Sequence, residues 1–364
     1  MSIRLIHAAD LHLDSSFEGL GGEKAALRRS EQRGLLRRLG DLCRRQRADI
    51  LLLCGDVFDS EFLYAETEET LLGVLSGLEI PVFIAPGNHD WFSRRSPYVR
   101  LSFPENVHIF SQEKIQGVVL EDLGVTVWGA GYTSNVCPPL LRGIRVPKQE
   151  GMLDILALHA EVGNAASQYC PVSENELARS GLDYAALGHI HSFSGARRAG
   201  SCVYAWPGCP EGRGFDECGD KGVIQADISP EGCRIVFIPM GARMYRKMYV
   251  DWGGDPLTAA EDSLPDNTQR DICKIIFTGE ASDPPDLAYL HQCLAPRFFH
   301  LVLEDATEPA ADLWERAEEN TLTGAFLRRM RRRLDSADSE EEKSAVLEAV
   351  RMGVAALEGR ELRL

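Results

Sequence analysis

The chain has 364 residues, 44% of them hydrophobic, and a formal net charge of −16, which allows one large core with something smaller beside it. The negative balance argues against general adhesion to polyanions, so any nucleic-acid contact must rest on local positive potential. No apolar run approaches the roughly 18 residues of a membrane span, and the polar N-terminal stretch does not read as a signal peptide, so the expected compartment is the cytoplasm.

The ten cysteines, from Cys43 to Cys293, contain no C-x-x-C and read as reduced thiols. Cys202, Cys209 and Cys218 match no common zinc spacing.

Up to about residue 240, the short apolar runs IRLIHAAD, ADILLLCGD, IPVFIAPG, VTVWGAG, DILALHA and YAALGH alternate with helix-like segments. Such alternation predicts an α/β domain on buried strands. Between Lys24 and Arg47, Leu27, Leu35, Leu36, Leu39 and Leu42 fit one core-facing helical stripe, which puts the arginines of that segment, Arg28 and Arg38 among them, on the outer face. The runs YRKMYVDW, DICKIIFTG, DLAYLHQCLA and FFHLVLED, punctuated by Gly253, Gly254, Pro265, Pro284 and Pro285, predict a small α+β domain with two or three strands and one helix. From Pro309 the chain is helical in character. Ser339 and Glu342 offer a capping box, and Ala345, Val346, Ala349, Val350, Val354 and Leu357 recur at helical spacing. The expected organisation is therefore 1–243, 244–305 and 306–364. The early arginines and the block Arg328, Arg329, Arg331, Arg332 and Arg333 read either as solvated helix faces or as local positive patches.

Residue types that bind metals gather where the apolar runs end. HAADLHLD delivers Asp10 and His12, GDVFD delivers Asp56 and Asp59, and GNHD delivers Asn88, His89 and Asp90. His159 ends DILALH, and GHIH supplies His189 and His191. In α/β sheets, sites form at the carboxyl ends of strands, and Gly55, Gly87 and Gly188 let the backbone turn sharply there. One H-x-H pair alone reads more readily as surface polarity past a strand than as a metal site. Five such strand ends together can supply the mixed nitrogen and oxygen donors, and a bridging carboxylate, that two divalent ions about 3.5–4 Å apart require. Two anionic carboxylates leave such a pair of ions positive overall, which suits an anionic phosphodiester.

The series D-x-H, G-D-x-x-D, G-N-H-D, H and G-H-x-H resembles that of the calcineurin-like metallophosphoesterases. The resemblance implies an αββα two-sheet sandwich, here with the small α+β appendage and C-terminal helices. It implies that Asp10, His12, Asp56 and His191 hold one ion and that Asp56, Asn88, His159 and His189 hold the other. His89 would be the general acid, oriented by Asp59. Manganese is the first choice of ion, with iron or zinc as alternatives. HAADLHLDSSF, GDVFDS and WPGCPEGRGFDECGDKG are similar to the DNA repair exonuclease branch, the SbcD-like and YhaO-type proteins. That similarity implies a metal-dependent DNA nuclease, with an SbcC-like coiled-coil ATPase and a second copy of the chain as partners. Hydrolysis of a small nucleotide or other small phosphodiester by the same centre is the alternative. Arg94 and Arg95, just after GNHD, read as DNA phosphate contacts or as solvated residues. The C-terminal helices read as packing elements or as the ATPase dock.

Overall fold

The first apolar run forms strand β1 (Ile3–Ala8), followed in chain order by α1 (Gly22–Gln46), β2 (Ile50–Leu53), α2 (Ala65–Ser76), β3 (Val82–Ile84), β4 (Val107–Ile109), β5 (Gln116–Leu120), β6 (Val125–Gly129), β7 (Leu153–His159), α3 (Glu174–Ser180), β8 (Tyr184–Gly188), β9 (Arg197–Ala199), β10 (Cys202–Ala205), β11 (Gly222–Ser229) and β12 (Gly232–Pro239). The computed structural model describes residues 2–281, 286–309 and 311–357. Pro284, Pro285 and residues 358–364 of the expected tail lie outside the described residues. The chain divides into two units, one up to Met244 and one from Tyr245.

In the first unit the strands form two six-stranded sheets, ordered β12-β11-β1-β2-β3-β4 and β9-β10-β8-β7-β6-β5. The pairs β1–β2, β2–β3 and β3–β4 are parallel, as are β6–β7, β7–β8 and β8–β10. Strands β2 and β7 are buried along their whole length, because a parallel strand covered on both faces needs apolar side chains on both. Leu5, Leu52 and Phe83 of the first sheet meet Val127, Ile155 and Ala186 of the second in one core. On the opposite faces, Ile6, Leu51 and Ile84 pack with Leu35, Leu39 and Leu42 of α1 and Leu71 of α2, and Leu156 and Leu187 pack with Leu177 of α3. Two sheets face to face with helices outside give the expected αββα sandwich.

Helix α1 departs from the expected amphipathic pattern at its start. Leu27 is 44% exposed while Arg28, assigned to the outer face, is 0% exposed. The physical reason is Glu211: the Arg28 guanidinium donates to its carboxylate (3.0 Å), to the Gly212 carbonyl (3.0 Å) and to Glu31 (2.5 Å). Arg38 adds a second guanidinium contact to Glu211 at 2.8 Å. A buried carboxylate without a cation is costly, so the helix turns an arginine inward where the Glu211 loop crosses it. Arg28→Ala is expected to lower the unfolding free energy by about 3 kcal/mol, the low end for a broken buried pair because Arg38 remains. A urea unfolding curve measures this, and pairing the change with Glu211→Gln should recover part of the loss.

The second unit contains β13 (Tyr245–Asp251), α4 (Pro256–Ser263), β14 (Ile272–Thr278), α5 (Leu287–Leu294) and β15 (His300–Asp305). Its sheet is parallel, ordered β13-β14-β15. Ala260 of α4 and Leu290 and Leu294 of α5 pack with Val250, Ile275 and Phe277. The extra helix, α4, is set by Asp255, whose carboxylate accepts the Leu257 N–H, and by Pro256 in the first turn. Helices α6 (Leu322–Asp335) and α7 (Glu340–Leu357) follow in the same unit. Val346, Val350 and Val354 of α7 are buried, whereas Ala345, Ala349 and Leu357 are exposed, a narrower stripe than the spacing implied. Ser339 Oγ accepts the Glu342 N–H at 3.1 Å, but the Glu342 carboxylate takes the N–H of Asp338, so the capping box closes one residue early.

Candidate metal centre

Five loops at the carboxyl ends of β1, β2, β3, β7 and β8 carry the histidines, aspartates and asparagine singled out above. The first two are knitted together through their backbones: Asp10 donates its N–H to the Gly55 carbonyl (3.0 Å) and His12 to that of Asp56 (2.9 Å). Asp90, buried below them, accepts N–H groups from Gly87 (2.7 Å), Val57 (2.7 Å), Asp56 (3.2 Å) and Phe58 (3.2 Å), and the Tyr98 hydroxyl. It is a post for two loops rather than a group facing the site. Burial, with the charge of Asp56, pushes its carboxyl up to about 6.

Of the three glycines, Gly55 alone has a positive φ, 85°. Gly87 and Gly188 serve close approach instead. A Cβ on Gly188 would lie 1.7 Å from the Cys54 carbonyl oxygen, and one on Gly87 would lie 2.3 Å from Asp56 Oδ1. The turn is made by side-chain-bearing residues: Asp10 (φ 52°), His12 (42°), Asp56 (49°) and His189 (99°) all occupy left-handed backbone. Such conformations are sparsely populated for residues with a Cβ and persist where the surroundings impose them.

The expected ligands come together. Asp10 Oδ1 stands 3.7 Å from His191 Nε2, and Asp56 Oδ2 stands 3.7 Å from His12 Nε2 and 3.4 Å from His159 Nε2. Asn88 Oδ1 lies 2.9 Å from His159 Nε2 and 3.3 Å from His189 Nδ1. Asp56 therefore borders both groups. Asp10, His12, Asp56 and His159 are buried.

The donor chemistry fits cations. His159 Nδ1 donates to the Cys54 carbonyl (3.0 Å), while the Nδ1 atoms of His12 and His191 engage the carboxylates of Asp59 (3.0 Å) and Glu217 (2.7 Å). With Nδ1 so engaged, a ring in its neutral form presents a bare Nε2 lone pair to the carboxylate or amide oxygens beside it. His12 Nε2 is buried and has no hydrogen-bond partner among the described residues, a costly state for a polar atom. Burial pushes the Asp10 carboxyl above its ordinary range, against the pull of His159 and His191. Burial acts the same way on Asp56, but His159, His12 and His89 outweigh it and hold that carboxyl low. A divalent cation between these oxygens and nitrogens removes the repulsion of facing lone pairs.

Asp59 is engaged by a second histidine: its carboxylate bonds His12 and, at 3.2 Å, Arg213. The imidazole of His89 is exposed, edge-on to His12 with ring centroids 4.8 Å apart, and its backbone N–H donates to Asp56 Oδ1 at 2.9 Å. Arg94 and Arg95 are exposed.

Two residues carried no signal in the sequence beyond lying in the WPGCPEGRGFDECGDKG stretch. Glu217 holds His191, and Arg213 spans Glu217 (2.7 Å) and Asp59 (3.2 Å). One guanidinium thus ties together the carboxylates that orient His12 and His191. The Glu217 carboxyl is held well below its usual range, because its bonds to His191 and Arg213 outweigh burial. His7 lies outside the cluster, buried between the Tyr184 hydroxyl (3.0 Å) and the Leu187 carbonyl (3.1 Å), as a structural histidine should. The ten cysteines are free thiols.

The sequence model of the family described as calcineurin-like phosphoesterase matches residues 3–193. The chain is 32% identical over 250 residues to the uncharacterized metallophosphoesterase YhaO of Bacillus subtilis, covering 63% of this chain and 59% of that protein. It is 30% identical over 132 residues to the SbcD subunit of the nuclease SbcCD from Rhodobacter capsulatus, covering 35% and 27%. It is 24% identical over 237 residues to the DNA double-strand break repair protein Mre11 of Methanopyrus kandleri, covering 60% and 51%. The matches span less than two thirds of the length of each of these relatives.

Proposed function

From the premise that the chain belongs to the calcineurin-like phosphoesterase family, we propose that it is a phosphodiester hydrolase, a metal-dependent DNA nuclease of the repair exonuclease type. The observation that carries this reading is the double ligand cluster bordered on both sides by Asp56. Similarity to proteins named as a nuclease subunit and a double-strand break repair protein supports DNA as the substrate. Arg94 and Arg95, exposed just past the Asn88–Asp90 loop, are suited to phosphate contact.

Asp10, His12, Asp56 and His191 would hold one divalent ion, and Asp56, Asn88, His159 and His189 the other. Nitrogen and oxygen donors without sulfur suit manganese, with iron or zinc next. Bound there, the ions supply Lewis-acid stabilisation of phosphoryl charge and lower the pKa of water. The chain's own groups do the rest. His89 reaches out to protonate the leaving oxygen, and Asp59, Glu217 and Arg213 keep the His12 and His191 rings aimed inward. The small α+β region at 244–305 would grip a long substrate, and the helices of 306–364 would dock an SbcC-like ATPase. A second copy of the chain remains a further partner. No helix among the described residues is long and apolar enough to cross a membrane, in keeping with the proposed cytoplasmic setting.

The test is cleavage of end-labelled DNA, beside a small chromogenic diester, by metal-stripped protein to which manganese is returned. Metal-dependent cleavage of DNA supports the nuclease. Hydrolysis of the small diester alone would refute the DNA substrate and leave the phosphoesterase. Glu217→Gln is expected to weaken metal binding about 10- to 100-fold, the usual cost of losing a group that orients a ligand histidine. Calorimetric titration with manganese measures it, and unchanged affinity would remove His191 from the ligand set.

A further inference from the structure

Beside the cluster of candidate ligands lies a cleft of about 240 Å³, lined among others by Glu161, Ile190, Ser192, Phe193, Arg197 and Trp206. It adjoins the centre directly: Ile190 and Ser192 flank His191 in the chain, and Glu161 Oε2 stands 4.0 Å from His189 Nε2. Its base is rigid. Trp206 Nε1 donates to the carbonyls of Ala160 and Gly188, both at 3.1 Å, the residues adjoining His159 and His189. The Trp206 N–H donates to Ser194 Oγ at 3.0 Å, and Ser194 returns its N–H to the Trp206 carbonyl at 3.1 Å.

Two exposed side chains give the cleft its chemistry. Phe193 is 39% exposed, and one face of its ring is stacked on Phe237, with centroids 4.7 Å apart. The exposed Arg197 guanidinium lies over the Trp206 ring, 5.6 Å from its centroid. A flat aromatic face beside a cation is the pairing that binds nucleobases and their phosphates without reading sequence. The volume falls below the roughly 300–1,000 Å³ of complete ligand pockets, so the cleft suits one part of a larger substrate.

We propose that this cleft is a base-binding subsite, taking the nucleobase of an unpaired nucleotide next to the phosphate being cleaved. The proposal rests on the nucleic-acid reading above and narrows it. A base held in a duplex stack must first be extruded, which is least costly where it is already unpaired, so the subsite favours single-stranded or frayed ends over intact duplex. Phe193 supplies the stacking face, and Arg197 meets the neighbouring phosphate.

The experiment uses the full chain with manganese and a nuclease-resistant phosphorothioate single strand carrying 2-aminopurine at one of its last few positions. Anisotropy of an end dye reports binding, and 2-aminopurine fluorescence reports stacking. The expected result is strong quenching at one position, with Phe193→Ala losing the quench and binding roughly 5- to 100-fold more weakly. Phe193→Tyr should retain both. Arg197→Ala, at an exposed strand position, should weaken binding by a smaller factor and serves as the second variant if Phe193→Ala does not fold. Binding without quenching at any position, or quenching unchanged in Phe193→Ala, overturns the subsite alone. No binding of the strand at all overturns the nucleic-acid reading and the subsite with it.

Discussion

Asp56→Asn is expected to lower phosphodiester hydrolysis by about three orders of magnitude. A bound divalent ion supplies several kcal/mol of charge stabilisation, and each ~1.4 kcal/mol is tenfold in rate. The choice of asparagine isolates the charge. Oδ1 of Asp56 accepts the His89 N–H at 2.9 Å, and asparagine keeps an oxygen for that bond, so the loop carrying His89 should stay in place. Metal analysis of the purified variant should give less bound metal than the wild type, because Asp56 Oδ2 borders both His12 and His159. Undiminished metal content in an inactive variant would place the essential role of Asp56 elsewhere.

His89→Ala is expected to reduce hydrolysis of DNA by about 10²–10⁴-fold, the usual yield of a positioned general acid, with metal content unchanged. The proximity of His12, Asp56 and His89 would also permit His89 to be a ligand, and the two roles separate in this variant. Loss of the acid spares a substrate whose leaving group needs no proton, so a nitrophenyl diester should lose far less than DNA. A ligand's loss would instead lower both rates alike and shed metal. The exposure of the imidazole favours the acid: it can reach a departing oxygen at the mouth of the site, whereas the buried rings of His12 and His159 cannot.

The members of the cluster were legible in the sequence because each sits where an apolar run stops, a local signal that needs no knowledge of the fold. Asp10, Asp56, Asn88, His159 and His189 follow strands whose burial forces continuous apolar stretches. What supports them was not legible. Glu211 meets Arg28 across 183 positions, and Asp59 meets His12 across 47. No periodicity in α1 marks which arginine turns inward, since that depends on a carboxylate delivered by a distant loop. The same limit hid Glu217 and Arg213. Gly87 and Gly188 were singled out correctly but for the wrong reason. A glycine needed for close approach and one needed for a turn are the same letter, and only the atoms facing the missing Cβ tell them apart.

Strand β1 sits inside its sheet, between β2 and β11. During synthesis β2 is available almost at once, but the partner at Gly222–Ser229 emerges about 200 residues later, on the order of ten to forty seconds at ~5–20 residues per second. For that interval the nascent chain carries an apolar strand with one bare edge, the kind of surface that recruits other strands. A cell making this protein therefore has reason to shield the first sheet until the hairpin of β11 and β12 arrives, and translation pauses before residue 222 should favour aggregation over assembly.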